Sequence, residues 1–188
     1  MDKFTARKKY QTLRFKLSRN KILDLSVKIA NNCLDLDIWS NKNYHIFLSL
    51  DKKNEVDTKP IIDILDGRQK NIIVSKSDFK TYCLKNYLLN EDVILKQNKY
   101  GIPEPINGIQ INNSIIDVVF VPLLAYDIKG NRVGYGKGFY DIFLKNLDPK
   151  TIKIGLSFFS PELPIKNIDE NDVQLDYCVS PDKIFNFL

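Results

Sequence analysis

The stretch DVVFVPLLAYDIKGNRVGYGKGFYDIFLKNL, Asp117–Leu147, decides how the chain is read. It opens on a short β-branched run ended by Pro122, passes through Gly130, Gly134, Gly136 and Gly138, and enters an apolar-periodic segment at Phe139. The first run is short and apolar enough for a strand buried on both faces, whereas Phe139–Leu147 has the spacing of a helix. Strand, glycine-rich loop and helix start form a recurrent arrangement for holding phosphates. Glycines let backbone N–H groups approach anionic oxygens closely, and the helix start adds the positive end of a dipole. Arg132 and Lys137 add formal positive charge to the same loop. The GxGxG spacing matches neither the dinucleotide fingerprint nor the Walker pattern, since Lys137 is followed by Gly138 rather than Ser or Thr. Asp141 lies in the first turn after the glycines. There a carboxylate either holds a magnesium ion beside bound phosphates or simply complements the helix dipole.

Outward from this stretch, YHIFLSL (44–50), NIIVS (71–75) and IKIGLSF (152–158) are further short apolar runs expected to be strands. Helices are expected over residues 3–17, from a Ser18 cap through Ile22, Leu25, Ile29 and Cys33, over Lys59–Asp66 and over Phe139–Leu147. Alternating strands and helices after two amino-terminal helices argue for an α/β fold around a largely parallel sheet. Residues 77–98 show no clear period. No repeat or long linker divides the chain, so residues 1–188 are expected to form a single domain.

The chain carries 28 Lys and Arg against 23 Asp and Glu, and its only histidine is His45. One histidine excludes a three-His zinc site and an HExxH hydrolase. Between Met1 and Lys28, nine cations face only Asp2 and Asp24, which suggests an anionic partner or a solvated helix face. Lys3, Arg7 and Arg14 share one stripe of the first helix. Cys33, Cys83 and Cys178 form no CxxC pair. The amino terminus has no secretory pattern, and the apolar stretch 115–126 is interrupted and too short to span a bilayer. A cytoplasmic location is expected.

VPLLAYDIKGNRVGYGKGFYD (121–141) resembles the signature of the 5-formyltetrahydrofolate cyclo-ligase family, also called 5,10-methenyltetrahydrofolate synthetase. KFTARKKYQTLRFKLS (3–18), NEVDT (54–58), YGIPEP (100–105) and ENDVQLD (170–176) resemble further family blocks in the same order, so the resemblance spans almost the whole chain. It implies a three-layer Rossmann-like sheet. It also implies conversion of 5-formyltetrahydrofolate, possibly polyglutamylated, to 5,10-methenyltetrahydrofolate with consumption of Mg-ATP, through a phosphorylated formyl intermediate.

Carried over by position, Lys3 and Arg7 would contact ATP. Arg132, Val133, Gly134, Tyr135, Gly136, Lys137, Gly138, Phe139 and Tyr140 would wrap the triphosphate, with Arg132 and Lys137 as the catalytic cations. Asp141 and Asp172 would hold Mg2+. Glu55 would hydrogen-bond the pterin, while Leu48 and the stretch Tyr135, Gly136, Lys137, Gly138 and Phe139 would line the folate pocket. Read as plain residues, Leu48 is a core strand position, Glu55 a solvated loop acid, His45 an ordinary strand residue, and Tyr126 with Asp127 a turn. Three departures from the pattern concern the substrate side. IIVSK (72–76) lacks a terminal proline, FFSPELP (158–164) lacks a glutamine, and Asn171 replaces a histidine before Asp172.

The alternatives are a sugar-phosphate isomerase of related fold, which would need an acid–base pair near the loop, and a basic nucleic-acid-binding module, which lacks any accompanying recognition motif. The favoured reading requires neither nucleic acid nor membrane and is that of a monomer.

Overall fold

The computed structural model describes residues 1–188 and begins with α1 (Lys3–Phe15) and α2 (Arg19–Cys33). Asp2 caps α1 by accepting the Thr5 N–H at 2.7 Å, and Ser18 caps α2 by accepting that of Lys21. There follow β1 (Asn43–His45), α3 (Lys59–Gly67), β2 (Asn71–Asp78) and β3 (Cys83–Leu88). A hairpin of β4 (Leu95–Gln97) and β5 (Pro103–Pro105) leads to β6 (Gln110–Ile111) and β7 (Val118–Pro122). A second hairpin, β8 (Ala125–Tyr126) and β9 (Arg132–Val133), precedes α4 (Phe139–Lys145), β10 (Ile152–Leu156), β11 (Tyr177–Val179) and β12 (Ile184–Asn186).

The sheet order is β12-β11-β10-β7-β1-β2-β3-β6. The five strands from β11 to β2 are parallel, and β12, β3 and β6 join antiparallel at the edges. Alternation along β7 explains its unbroken apolar run. Val118 and Phe120 pack with Ile22, Ile29, Ile61 and Leu65 of α2 and α3, while Val119 and Val121 pack with Phe143, Leu144 and Leu147 on the α4 side. The result is the expected three-layer α/β arrangement.

Two boundaries depart from expectation. The run 44–50 pairs as a strand only through His45, and the Ile46 N–H makes a last bond to the Ile73 carbonyl at 2.9 Å. The chain then leaves the sheet. The Phe47 carbonyl accepts from the Thr58 hydroxyl and the Leu50 N–H donates to Glu55, which folds the strand end into a loop. Conversely, β2 runs on to Asp78, because its polar outer half pairs with β3 in a segment that has no apolar period.

The chain leaves β1 toward β2 on one side and returns through β7 on the other. That reversal opens a crevice at the carboxyl ends of β1 and β7, the usual ligand position in such sheets. The loop after β1 and the glycine loop reached through β8 and β9 both converge on it. Helix α1 closes one side by packing Ala6 and Tyr10 against Leu124, Ala125, Val133 and Ile165.

His45 is an interior strand residue, 4.7 Å from the Phe143 ring. Its Nε2 lies 2.6 Å from Ser75 Oγ, which donates to Asn86 Oδ1 at 2.6 Å. The serine proton is thereby committed to the amide, so His45 carries its own proton on Nε2. Burial pushes the imidazole pKa down to about 3 from its ordinary value of 6.5. The unfolded chain therefore binds a proton below pH 6.5 that the folded chain refuses, and stability falls as pH falls. Between pH 7 and pH 5 the protein should lose about 2 kcal/mol more than a His45→Gln variant, measured by denaturant titration at both values.

Candidate functional site

The glycine loop is anchored at its base by Asp127, which is fully buried. One carboxylate oxygen accepts the N–H groups of Lys129 and Asn131 at 2.9 and 3.0 Å, and the other accepts the Ile165 N–H and the Asn131 side chain, each at 2.9 Å. Tyr126 and Asp127 thus shape the turn, as read from the sequence. Beyond this anchor, no backbone N–H from Gly134 through Asp141 has an acceptor within the protein. Gly136 and Gly138 take positive φ values of +82° and +78°, a conformation that glycine adopts without steric cost. Lys137 is exposed and forms no ion pair, so its charge is uncommitted.

The stripe of α1 faces this loop. Arg7 donates from Nε to the Gly134 carbonyl at 3.0 Å, and a Cβ at Gly136 would stand 3.2 Å from the Arg7 guanidinium carbon. Lys3 forms an ion pair with Asp172, and Arg132 pairs with Asp141 at 2.5 Å. Each carboxylate considered for magnesium is therefore held by a cation considered for the nucleotide. The Arg132 side chain is only 4% exposed, and its Nε has no partner. A buried guanidinium with a spare donor adds to the anion-binding character of the pocket.

Glu55 is not the solvated loop acid that its position suggests, being only 6% exposed. It accepts the Leu50 N–H at 2.9 Å. Burial pushes its pKa above the usual carboxylate range, opposed by Tyr135, Arg14 and Lys53. Tyr135 and Tyr140 are both pushed up, first by burial and then by the Glu55 charge. Leu48 is partly buried and packs against the core beneath α2 and α3. Phe139 meets Phe79 and Tyr82 at ring separations of 5.1 and 5.5 Å, and Phe79 meets Tyr100 at 4.4 Å. These three aromatics come from the β2–β3 and β4–β5 hairpins and wall the loop. Sequence reasoning missed them as site residues, although Tyr100 opens the YGIPEP block.

The residues fit a magnesium nucleotide better than a free ion. No three His, Cys, Asp or Glu side chains are grouped to hold a metal. Magnesium commonly takes one or two carboxylates together with substrate phosphates, and Asp141 and Asp172 flank a cradle of unpaired N–H groups. No helix is long and apolar enough to cross a membrane.

The chain is similar to known proteins across almost its whole length. The model of the 5-formyltetrahydrofolate cyclo-ligase family matches residues 1–181. A probable 5-formyltetrahydrofolate cyclo-ligase of Schizosaccharomyces pombe is 30% identical over 186 residues, covering 90% of each chain. The Haemophilus influenzae 5-formyltetrahydrofolate cyclo-ligase is 38% identical over 124 residues, covering 62% of this chain and 64% of its own. The solved 5,10-methenyltetrahydrofolate synthetase of Aquifex aeolicus superposes with a TM-score of 0.82 at 28% identity, covering 100% of this chain and 93% of the other.

Proposed function

The chain belongs to the 5-formyltetrahydrofolate cyclo-ligase family, and on that premise we propose how its residues convert 5-formyltetrahydrofolate to 5,10-methenyltetrahydrofolate. The N-formyl carbon is a weak electrophile because the amide nitrogen shares its lone pair with the carbonyl. Phosphorylation removes that obstacle. The formyl oxygen attacks the γ-phosphorus of ATP and ADP departs. N10 then adds to the activated carbon and loses its proton, and the carbon–oxygen bond breaks to release phosphate. Such chemistry asks the protein for positioning and charge neutralisation rather than for a strong acid or base.

The observation that carries this reading is the unbroken run of N–H groups without acceptors from Gly134 through Asp141. In the proposal it receives the phosphates, Arg7 and Lys3 reach them from α1, and Arg132 and Lys137 neutralise charge on the transferring group. Asp141 and Asp172 would hold magnesium, which supplies further neutralisation of the phosphate oxygens when bound. Glu55 meets the pterin ring, with Leu48 and the Tyr135–Phe139 stretch lining the pocket. Lys3, Arg7 and Arg14 all turn toward the loop or its surroundings, so the basic helix needs no nucleic acid or membrane to account for it. The three free thiols suit a reducing cytoplasm, and residues 1–188 are taken to act as one monomeric unit. An isomerase reading is less well supported, because the buried acid near the loop, Glu55, is already engaged by the Leu50 N–H.

Purified protein supplied with 5-formyltetrahydrofolate, ATP and magnesium is expected to develop the near-ultraviolet absorbance of the methenyl product. Omitting ATP, or chelating the magnesium, should abolish the signal. A flat trace with folded protein and authentic substrate would overturn the reading.

A further inference from the structure

Of the two oxygens on each carboxylate beside the glycine loop, only one is engaged. Lys3 Nζ pairs with Asp172 Oδ2, which also accepts the Asp169 N–H at 2.7 Å, and Asp172 Oδ1 accepts nothing. Arg132 Nη2 donates to Asp141 Oδ1 at 2.5 Å, and Asp141 Oδ2 is likewise free. The turn carrying Asp172 lies against the helix carrying Asp141, since Lys145, one turn further along α4, donates to the Asn171 side chain. The side chains of Lys3, Asp172 and Arg132 are at most 17% exposed, so solvent screens these pairs only weakly.

We propose that these two ion pairs make divalent-metal binding conditional on nucleotide: Lys3 and Arg132 hold the metal carboxylates in the free protein and exchange them for phosphate oxygens when a triphosphate arrives. The inference rests on the nucleotide reading of the glycine loop given above. Magnesium sheds its water reluctantly and is drawn by anionic oxygens. Two aspartates against a lysine and an arginine sum to no net charge, and no third His, Cys, Asp or Glu joins them. Before either carboxylate could serve a divalent ion alone, a sheltered cation would have to give up its partner and stand uncompensated beside added positive charge. The anion side differs, because the N–H groups from Gly134 through Asp141 have no acceptor within the protein. The free protein therefore presents an open site for phosphate and a closed one for metal. A bound triphosphate offers Lys3 and Arg132 new acceptors and releases both carboxylates where its own oxygens complete the metal's ligands. By linkage the coupling is reciprocal, so whatever nucleotide adds to metal affinity, metal adds to nucleotide affinity.

The test uses manganese as a spectroscopic probe, with free Mn2+ counted by electron paramagnetic resonance in the absence of nucleotide. Unmodified protein should bind it with a Kd above about 1 mM. Lys3→Met releases Asp172, so affinity for Mn2+ alone should rise about tenfold, while affinity for a non-hydrolysable ATP analogue without metal falls about tenfold. Opposite movement is the signature. A purely structural lysine would lower both affinities, and a lysine that only contacts phosphate would leave Mn2+ binding unmoved. In an Asp172→Asn background the same substitution should add nothing to Mn2+ binding, since the carboxylate it would free is gone. If Lys3→Met does not fold, Lys3→Gln removes the charge while keeping a polar head, and it should show the same two shifts in smaller measure. Three results would each overturn the proposal while leaving the family reading intact: a Kd for Mn2+ below that value in the unmodified protein, unchanged or weakened Mn2+ binding in Lys3→Met, or a gain that survives Asp172→Asn. Unmodified protein that takes up no nucleotide would instead overturn the reading on which it rests.

Discussion

Lys137→Ala is expected to lower kcat by about a hundredfold or more, at unchanged folding stability. Lys137 is exposed, and none of its side-chain atoms takes part in an ion pair or hydrogen bond, so its removal opens no cavity and breaks no fold contact. The side chain stands in the middle of the loop whose N–H groups are unpaired, between Gly136 and Gly138 at their left-handed conformations. Charge on the γ-phosphoryl group is redistributed only as it transfers. A cation held there therefore acts more on the transition state than on bound ATP. Accordingly, kcat should fall more than the ATP affinity does. Lys137→Arg should recover part of the rate, because the charge returns with altered reach. Formation of the methenyl product gives the rate and a urea midpoint gives the stability. A loss smaller than about tenfold would place Lys137 outside the transition-state contacts.

Asp127→Ala should destabilise the protein by about 3–5 kcal/mol, the largest stability effect expected of any single loop substitution here. The carboxylate is completely buried and accepts from three backbone N–H groups and the Asn131 amide. Deleting it strands those donors out of reach of water, and each unsatisfied group costs free energy without compensation. Because Ile165 is one of the donors, the substitution also loosens the segment that returns beneath α1. Asp127→Asn should lose less. Its amide oxygen can replace one acceptor, whereas its NH2 group opposes the donors around it. A thermal or denaturant midpoint within about 1 kcal/mol of the unmodified protein would show that water replaces the lost acceptor.

The β-branched runs near 44, 71, 117 and 152 all became strands of the parallel core, since strands buried on both faces need continuous apolar sequence. The capping residue Ser18 and the periodic stretch after Phe139 likewise marked their helices. The edge hairpin β2–β3 was not visible, because Ser75, Lys76, Ser77 and Asp78 are partly solvated and their pairing compensates for absent apolar alternation. Among site residues, the glycine loop and the Lys3–Arg7–Arg14 stripe were legible from spacing. The burial of Glu55 was not. It follows from the loop turning back so that Glu55 accepts the Leu50 backbone N–H, a contact that residue type does not reveal.

The sequence by itself determined the layered α/β class, the glycine loop and the cationic face of the first helix, all of which are local periods or local compositions. The resemblance of its motif blocks also pointed to the family. Only the tertiary structure decided that Lys3 meets Asp172, that Arg132 meets Asp141, and that Arg14 meets Tyr135. Lys3 and Asp172, and Arg14 and Tyr135, are separated by more than a hundred residues, and their pairing depends on the strand order that brings the ends of β1 and β7 together; Arg132 and Asp141 meet across the glycine loop itself. Periodicity records which face of an element is buried, but it carries no information about which distant charge is waiting there.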